Sequence, residues 1–529
     1  MQPSVWILGD QLSWKNSALT PPGECRIVMI ESVARSGMLP YHKHKLALVW
    51  SAMRHFAAEL RERGYDVDYH AECSDWTAAL RAHIERFGAT HMRLMAPSEY
   101  GFRERLPALL RELGVEVEVT PESLFVCSPE EFQGFLGRRK ARVFEEFYRW
   151  MRVKTGLLMD GDEPVGGQWN YDELNRQTPP PGHVFPAVPE FAPDEITRDA
   201  IGAVEKHFPD NFGELETFWW PTSRSQAQRA RDEFFETRLD LFGPYEDALV
   251  SGQRALYHSA LSALMNLGLL DPLESARLAE ERYRAGHARL ESVEGYIRQV
   301  IGWREFVHAH YWHRMPGLAE SNALDAHEPL PGFYTDAGTS MRCVHEAVET
   351  LRLYGTTHHI QRLMVLGNFA LIAGIEPREM RDWFWASYAD AYEWVVTPNV
   401  LAISLFADGG LKNGGIATKP YGATAKYIDR MSDYCGGCVF DPNQLVGERA
   451  CPFNALFWDF IERHADGLGD NSRMRGIVAG ARRRKAETRE AIRERATAIR
   501  TAMREGRDFA PNESEPSSGD GEPVLPGLE

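Results

Sequence analysis

The sequence predicts an α/β domain with a doubly wound parallel sheet, followed by a large all-helical domain. Over the first 125 residues, short apolar runs alternate with helical patterns. From about residue 226 to 505, apolar residues recur at spacings of three and four, which is typical of helices. The length of 529 residues suffices for several domains. We therefore expect an antenna-type α/β domain at 1–125, a connector at 126–225, a helical domain at 226–505 and a disordered tail at 506–529.

Five apolar runs predict the strands of the first domain: Ser4–Leu8, Arg26–Glu31, Asp66–Tyr69, His91–Ala96 and Val115–Val119. Helical patterns lie between several of them: His44–Arg63, Asp75–Phe87 and Arg103–Leu113. Apolar strands that alternate with helices predict a parallel sheet covered on both faces. The first strand ends at Gly9-Asp10-Gln11, on the sheet edge where open α/β folds bind ligands. That turn lacks the glycine-rich fingerprint of a dinucleotide site, so the sequence does not indicate NAD.

The segments after residue 125 are of three kinds. Residues 164–182 are rich in proline and glycine, which predicts an extended surface connection. The helices predicted after it are Ser225–Leu241, Arg254–Leu267, Glu274–Ala285, Val293–Trp312, Cys343–Leu353, Thr357–Ala373 and Pro377–Trp394. The last residues, from Asp508, are mostly proline, acidic residues, serine and glycine, a composition that cannot bury a core.

The charge and apolar pattern exclude some classes of protein. A net charge of −17 gives no overall electrostatic attraction for nucleic acid, although a local basic face remains open. The candidate face is Arg138–Arg142 with Arg149, Arg152 and Lys154, which fits a solvated charged helix equally well. No basic, apolar leader opens the sequence and no run approaches 18 apolar residues. We therefore expect a cytoplasmic protein without a membrane span.

Four of the seven cysteines form the sharpest chemical pattern. Cys435 and Cys438 flank two glycines, Cys451 precedes a proline, and Cys343 lies upstream. Two thiolates three residues apart can bind one metal centre, and a third followed by proline closes many cluster-binding loops. Buried, unliganded cysteines are one alternative. The spacing alone fits structural Zn²⁺ as well as an iron–sulfur cluster.

Two further patterns lie in the helical domain. Ser259 and Ser262 lie near a predicted helix start, where free amides and the helix dipole attract phosphate, although serine there is also an ordinary cap. His358 and His359 open an otherwise apolar helix, where packing requires neither of them.

Two neighbouring groups of residues add to this pattern. We expect a buried Arg362 with Asp390 as its partner to lie beside His358 and His359, and this combination indicates a functional site. Trp383, Trp385 and Trp394 cluster in the next predicted helix, where core packing is the alternative interpretation.

Together these segments resemble the photolyase/cryptochrome superfamily, in particular its bacterial branch with a four-iron–four-sulfur cluster. Several members of that branch repair (6-4) photoproducts. The resemblance covers nearly the whole chain. It rests on ILGDQLS at 7–13, SAMRHFA at 51–57, KTGLLM at 154–159, NRQ at 175–177, FPDNFG at 208–213, FADGG at 406–410 and CPFNALFWDF at 451–460.

The resemblance implies a set of sites. A [4Fe-4S] cluster is then bound by the four cysteines, and His359 is the proton donor with His358 beside it. Electron transfer is assigned to Trp383, Trp385 and Trp394, and a lumazine-type antenna chromophore to Asp10, Gln11 and Glu31. FAD is assigned to His258, Ser259, Leu261, Ser262, Gln299, Arg362, Asp390 and Tyr392.

The resemblance also implies a function. We expect a monomeric DNA photolyase in which photoexcited reduced FAD passes an electron to a flipped-out lesion of UV-damaged DNA, with (6-4) lesions ahead of cyclobutane dimers. The alternatives are a cryptochrome-like blue-light photoreceptor and a flavoprotein that binds nucleic acid without light. Three positions depart from the family: Thr335, Phe384 and Val396 stand where relatives often have Trp, Tyr and a polar residue. The photoreduction route is therefore expected to be altered or to run through Trp385 or Trp394.

Overall fold

In a computed structural model, which describes residues 3–137 and 143–511, a sheet of parallel strands forms the first domain. Its strand order is β3-β2-β1-β4-β5. The strands are β1 Ser4–Trp6, β2 Arg26–Ser32, β3 Asp66–Cys73, β4 His91–Met95 and β5 Glu116–Thr120. Each lies where an apolar run predicted it, so the predicted doubly wound sheet is confirmed.

Helices cover both faces of this sheet: α1 Val33–Ser36, α2 Lys43–Glu62, α3 Trp76–Phe87 and α4 Tyr100–Glu112. Successive strand residues point to opposite faces. Val5 and Ile27 pack in the core that includes α2, whereas Trp6 and Val28 pack in a second core with α3 and α4. Because both sets are buried, β1 and β2 are largely apolar on both faces, whereas polar and apolar residues alternate along β3 and β5.

The chain winds in opposite directions on the two sides of β1, which lies between β2 and β4. This reversal opens a crevice at the carboxyl ends of the two central strands, β1 and β4. Asp10 follows β1 and Ser98 follows β4, and the Ser98 hydroxyl donates a hydrogen bond to the Asp10 carboxylate. The structure therefore has a crevice at the end of the sheet where the sequence predicted a ligand-binding site.

The connector holds α5 Pro129–Leu136, α6 Phe144–Thr155, α7 Glu195–His207 and a two-stranded ladder of β6 Met159–Asp160 and β7 Glu163–Pro164. Arg152 of α6 is fully buried and donates to three backbone carbonyls. It belongs to the core, so its assignment to a DNA-binding face is wrong. Lys154 donates to Glu131, and Arg138–Arg142 lie outside the described residues.

Sixteen α-helices make up the described part of the second domain. They are α8 Arg224–Thr237, α9 Leu239–Phe242, α10 Ser262–Leu267, α11 Pro272–Arg284, α12 Leu290–Ile297, α13 Arg304–Arg314, α14 Phe333–Asp336, α15 Arg342–Tyr354, α16 Asn368–Ala373, α17 Pro377–Ser387, α18 Glu393–Val396, α19 Ala425–Met431, α20 Pro452–Arg463, α21 Ala465–Gly469, α22 Arg475–Arg482 and α23 Ala486–Arg504. Each described helix is too short or too polar to cross a membrane.

Two predicted helices are interrupted where the site lies. The helix predicted from Arg254 begins only at Ser262, because Leu256 and Ala260 adopt left-handed φ angles of 49° and 56°. The helix predicted as Pro377–Trp394 ends at Ser387, and the extended backbone of Tyr388 turns the chain before α18. Both breaks free backbone and side-chain groups for the cavity described below.

Three π-helical segments extend these helices: Arg298–Trp303, Gln361–Gly367 and Thr397–Ser404. The first joins α12 to α13, the second leads into α16, and the third continues α18. A wider helical turn redirects the side chains that it carries and often marks a functional site. Gln299 and Arg362, both predicted to bind the cofactor, lie on two of these segments.

The chain end packs against the helical domain as far as it is described. Asp508 accepts hydrogen bonds from the backbone and hydroxyl of Ser340. Phe509 is buried and contacts the rings of Phe333 and Phe440. The prediction of a disordered tail is therefore wrong for these residues, because the side chain of Phe509 is buried against other aromatic rings. Residues 512–529 lie outside the described part of the chain.

Candidate functional site

An ion pair joins the π-helical segment Gln361–Gly367 to the turn after α17. Arg362 Nη1 lies 2.9 Å from Oδ1 and 3.1 Å from Oδ2 of Asp390, and Arg362 Nε donates to the carbonyl of Thr357. The Ser262 hydroxyl donates to Asp390 at 2.6 Å. Burial acts to raise the pKa of Asp390, but Arg362 and these hydrogen bonds hold it below its ordinary value. The carboxylate is therefore ionised and ties three segments together.

A second network brings His258 and Gln299 to the same carboxyl-bearing residue. His258 Nε2 donates to the backbone carbonyl of Glu246 at 2.9 Å, and Gln299 donates to its side chain at 2.8 Å. Burial raises the pKa of Glu246 to about 7. Sequence reasoning missed Glu246, because its surroundings, FGPYED at 242–247, carry no recognisable spacing.

Two buried imidazoles stack beside this network. The rings of His258 and His358 are 4.9 Å apart and inclined by 20°. His358 is buried, and its Nδ1 has no hydrogen-bond partner among the described residues. Burial lowers the pKa of His258 to about 4 and that of His358 well below its ordinary value. Because two stacked imidazolium rings would repel each other, both rings are neutral at neutral pH.

His359 differs from His358 in its exposure. It is the first helical residue and is exposed to solvent, while His358 precedes the helix. Burial among protein atoms, and then the charge of Arg362, lower its pKa to about 4. The ring is therefore solvent-accessible although protein atoms surround it closely. We call the space that it reaches beside Arg362 the cavity. Among the described residues, the imidazole of His359 has no hydrogen-bond partner, so its nitrogens remain available to a ligand.

The remaining predicted flavin-binding residues separate into two places. Leu261 is buried at the start of α10, and its amide donates to the Ser259 hydroxyl. Tyr392 lies apart from this cavity, in the pocket at the sheet edge, near the ammonium group of Lys45. The structure thus brings His258, Ser259, Leu261, Ser262, Gln299, Arg362 and Asp390 together, but not Tyr392.

The three predicted electron-transfer tryptophans point to three different places. Trp383 donates to the carbonyl of Tyr334, and its ring lies 6.0 Å from the ring of Tyr388, over which Arg362 stacks. Trp385 lines the pocket at the sheet edge. Trp394 packs against Phe125 and His308. Only Trp383 lies next to a ring that contacts the cavity.

The four predicted ligand cysteines line one apolar cavity together with Met341, Tyr434 and Phe440. Cys343 lies on α15, Cys435 and Cys438 flank a 3₁₀ turn, and Cys451 directly precedes α20. Burial raises the pKa of the Cys343 and Cys451 thiols, and the neighbouring sulfurs raise it further. The raised pKa values favour the protonated thiols in the protein alone, and a cationic centre would be needed to hold the four sulfurs as thiolates.

The spacing of these sulfurs distinguishes two kinds of centre. In residues 3–137 and 143–511, three metal-binding atoms lie within 4.8 Å of one another only at Asp68, His70 and His83. No three cysteine sulfurs therefore meet that distance. Around a single tetrahedral zinc ion the sulfurs would be about 3.8 Å apart, given a bond of about 2.3 Å. No three of the four sulfurs therefore have the spacing of ligands around a single zinc ion.

The pocket at the sheet edge has a volume of about 130 Å³ and is lined by Asp10, Glu31, Trp385 and Tyr392, among others. Arg54 donates to both carboxylate oxygens of Glu31, at 2.7 and 2.9 Å. Burial, more than any other cause, raises the pKa of Asp10 to about 6. The predicted antenna residues Asp10 and Glu31 therefore share one pocket.

Two residues of this region differ from the expectation. Gln11 donates to the carbonyls of Met95 and Ala96 and does not line the pocket. Lys45, which sequence reasoning missed, lines it and donates to the carbonyls of Trp385 and Ala391, both at 2.6 Å. Burial lowers the pKa of Lys45 well below its ordinary value. Its signal was a lysine placed next to the apolar run LALVW at 46–50.

Comparison with known proteins gives both a partial match to a family model and a match over most of the chain. The family model described as "Deoxyribodipyrimidine photo-lyase-related protein" matches residues 5–220. A "(6-4) photolyase" of Agrobacterium fabrum (strain C58 / ATCC 33970) is 42% identical over 506 residues, which covers 94% of this chain and 99% of that protein.

Two solved structures share the fold. A bacterial class III photolyase from Agrobacterium tumefaciens superposes with a TM-score of 0.58 at 18% identity, covering 96% of this chain and 98% of its own. A cryptochrome of Synechocystis sp. PCC6803 superposes with a TM-score of 0.55 at 14% identity, covering 93% and 98%. The architecture of a sheet domain followed by a helical domain is therefore that of these proteins.

Proposed function

Because the chain belongs to the photolyase/cryptochrome family, with a bacterial (6-4) photolyase as a full-length relative, we propose that it is a light-driven flavoprotein that repairs (6-4) lesions in UV-damaged DNA. The observation that carries the proposal is His359, an unpartnered imidazole in a cavity beside the Arg362–Asp390 pair. FAD supplies, when bound, a donor of one electron under blue light. Proton transfer and positioning fall to the side chains.

The walls of the cavity fit a large polar cofactor. Ser262 and His359 are solvent-accessible although their chain neighbours Leu261 and Ile360 are buried. Polar side chains that reach solvent from within buried segments line an internal space. Arg362, Asp390, Ser262, Gln299 and His258 would hold the FAD there. Because Arg362 and Asp390 neutralise each other, the cavity offers hydrogen bonds without a large net charge.

His359 supports the (6-4) assignment through its freedom to move a proton. Repair of this lesion shifts a hydroxyl group between two bases, and that group leaves as water only when protonated. In the protein alone, the pKa of about 4 leaves the imidazole neutral at pH 7. An anionic lesion in the cavity stabilises the imidazolium and raises the pKa, so that an imidazole nitrogen can carry the proton to the departing oxygen.

The test is repair of a defined (6-4) oligonucleotide under blue light. His359→Ala should retain flavin and DNA binding but lose repair on the order of 10²-fold, the usual scale of general acid catalysis. His358→Ala should have a smaller effect, because its ring is buried and stacks on His258. His327→Ala is the control, because this exposed imidazole pairs only with acidic residues outside the cavity.

Two results would change the proposal. Undiminished repair by His359→Ala would refute its role as proton donor. A wild-type protein that is photoreduced but repairs no lesion would favour a photoreceptor of the cryptochrome type.

The proposal includes a [4Fe-4S] cluster on Cys343, Cys435, Cys438 and Cys451. Its support is the donor set itself: four sulfurs in one apolar cavity, spaced too widely for a single zinc ion. The purified protein should contain about four iron atoms per chain. About one zinc ion and no iron would refute this part of the proposal.

Cys435→Ser should lose the iron and most soluble protein, because the site joins α15 to a loop more than ninety residues away. Cys73→Ser is the matched control, since Cys73 is a half-buried cysteine of β3 that lies outside the cavity. Equal iron content in both variants would contradict the assignment.

The pocket at the sheet edge is proposed to hold a lumazine-type antenna chromophore, with Asp10 and Glu31 as hydrogen-bond acceptors. Its support is an aromatic lining combined with two carboxylates. Fluorescence of a chromophore released from the purified protein tests this. The proposed enzyme is a cytoplasmic monomer, and light scattering of the purified protein measures its oligomeric state.

A further inference from the structure

Three polar side chains converge on the outer strand of the first domain, away from the cavity and the cysteines. Asp68 and His70 are two apart on β3 and so point to the same face. His83 reaches them from α3. Asp68 Oδ2 lies 2.8 Å from His70 Nε2 and 2.7 Å from His83 Nδ1, and all three atoms lie within 4.8 Å of one another.

Asp68 and His83, the two buried members of the triad Asp68–His70–His83, each form a further hydrogen bond on the side away from the triad. The Ser4 hydroxyl lies 2.8 Å from Nε2 of His83, and Arg86 Nη1 donates to Oδ1 of Asp68 at 3.1 Å. In metal sites, the ligand atoms that face away from the metal usually have such outer partners, which fix the ligand's orientation. Asp68 and His83 therefore present one carboxylate oxygen and one ring nitrogen in fixed positions.

The Ser4 hydroxyl can accept or donate a hydrogen bond. When the proton of His83 moves from Nδ1 to Nε2, the ring donates to Ser4, and its Nδ1 lone pair becomes free for a metal. The ring is hydrogen-bonded in either tautomer. Ligation by His83 therefore costs no buried hydrogen bond to Ser4.

The distances suit a small divalent ion. Around a tetrahedral ion with bonds of about 2.1 Å, neighbouring donor atoms lie about 3.4 Å apart. The donor atoms of Asp68 and the two histidines need to separate by well under 1 Å to reach that spacing. The His70 side chain is 19% exposed, whereas that of His83 is fully buried. The site is therefore open to solvent on one side, where an ion enters and a water completes the coordination.

We propose that Asp68, His70 and His83 form a binding site for a divalent transition-metal ion of the Zn²⁺ class. Two imidazoles and one carboxylate match the ligand preference of Zn²⁺. The ion ties β3, the edge strand, to α3 and thereby stabilises an edge of the sheet that has no further strand. This site is independent of the repair reaction.

The test is calorimetric titration of the full-length, cofactor-loaded protein with ZnCl₂, together with melting curves at increasing zinc concentration. The wild type should bind one zinc ion saturably, and its melting temperature should rise with zinc. Asp68→Asn and His70→Ala should each weaken binding by about tenfold or more, since each removes one of three ligands. His91→Ala is the matched control: His91 is an exposed histidine of β4 whose partners, Glu116 and Thr90, lie outside the triad, so the variant should bind zinc like the wild type.

Absence of saturable binding by the wild type would overturn the proposal and leave the triad as a hydrogen-bonded structural element. Equal binding by wild type, Asp68→Asn and His70→Ala would place the zinc elsewhere and also overturn it. Should His70→Ala fail to fold, Asp68→Asn decides, because asparagine has the same shape and retains an oxygen acceptor for one histidine.

Discussion

The cavity beside His359 and the pocket beside Asp10 are built from polar groups in two different ways. In the cavity, Ser262 and Asp390 meet across 128 residues of sequence, and opposite charges within the site neutralise each other. In the pocket, Asp10 follows β1 and Glu31 lies near the end of β2, and Glu31 alone is paired with an arginine in a two-pronged contact. The cavity therefore depends on one ion pair, whereas the pocket depends on the sheet. Perturbing each in turn tests this difference.

The largest effect is expected from breaking the ion pair. Asp390→Ala leaves Arg362 without its partner and should destabilise the helical domain by about 3 kcal/mol and release the flavin. The matched control, Asp382→Ala, removes a more exposed partner of Arg381 and should cost less than about 1 kcal/mol. Urea unfolding and flavin content of the purified variants measure both. Equal losses in the two variants would show that the cavity does not depend on this pair.

The tryptophans distinguish the two regions next. Trp383 contacts Tyr388 beside the cavity, whereas Trp385 lines the pocket. We expect Trp383→Phe to slow light-driven reduction of the flavin in the presence of a thiol more than any other single tryptophan change. Trp385→Phe should change only the occupancy of the pocket. Time-resolved absorbance measures the rate of flavin photoreduction. A slower rate in Trp385→Phe than in Trp383→Phe would assign the electron-transfer role to Trp385.

Acid should affect the cavity through its histidines. The pKa values of His258 and His359 are lowered to about 4 and that of His358 falls well below its ordinary value. Between about pH 6.5 and 4, these histidines bind protons in the unfolded chain but stay neutral in the folded chain. The free energy of unfolding therefore falls as the pH falls through that window. Melting temperatures from pH 7.5 to 4.5 measure this. His358→Gln should flatten the profile, and an unchanged profile would exclude its contribution.

Asp10 should give the opposite and smallest effect. Its folded pKa of about 6 lies above the ordinary 3.8, so the folded chain binds the proton more readily. Ionised Asp10 therefore destabilises the fold above about pH 6, and that cost disappears as the pH falls toward 3.8. Asp10→Asn retains an acceptor for Ser98 and should melt slightly above wild type at pH 7.5. The difference should shrink toward pH 4, and a constant difference would contradict the shift.

The sequence predicted those parts of the fold that depend on local pattern. The pattern of apolar residues located all five strands: β1 and β2 are buried on both faces and largely apolar, whereas β3, β4 and β5 carry apolar residues at every second position. The helix predicted from Arg254 failed at its start, because Leu256 and Ala260 adopt left-handed angles that no local preference indicates. Tertiary contacts to the cavity determine that backbone.

The candidate site divides in the same way. The resemblance to the family predicted that His258, Ser262, Arg362 and Asp390 share one site, and the structure places them close together. Glu246 was missed, because a single buried carboxyl group leaves no spacing in the sequence. Tyr392, only two residues after Asp390, lies in the other pocket. The turn after α17 separates these neighbours, and its direction depends on packing.

The contact between the chain end and the cysteine cavity has a consequence for biosynthesis. Cys343 is translated long before Cys451, and Phe509 then packs against Phe440, which lines the same cavity. Helix α23 follows Cys451 in the chain and packs on α20, the helix that begins next to Cys451. Until α23 and Phe509 have emerged from the ribosome, the four cysteines lack the cover that these segments provide. The metal centre proposed for these cysteines would therefore be loaded most easily between the emergence of Cys451 and the docking of Phe509.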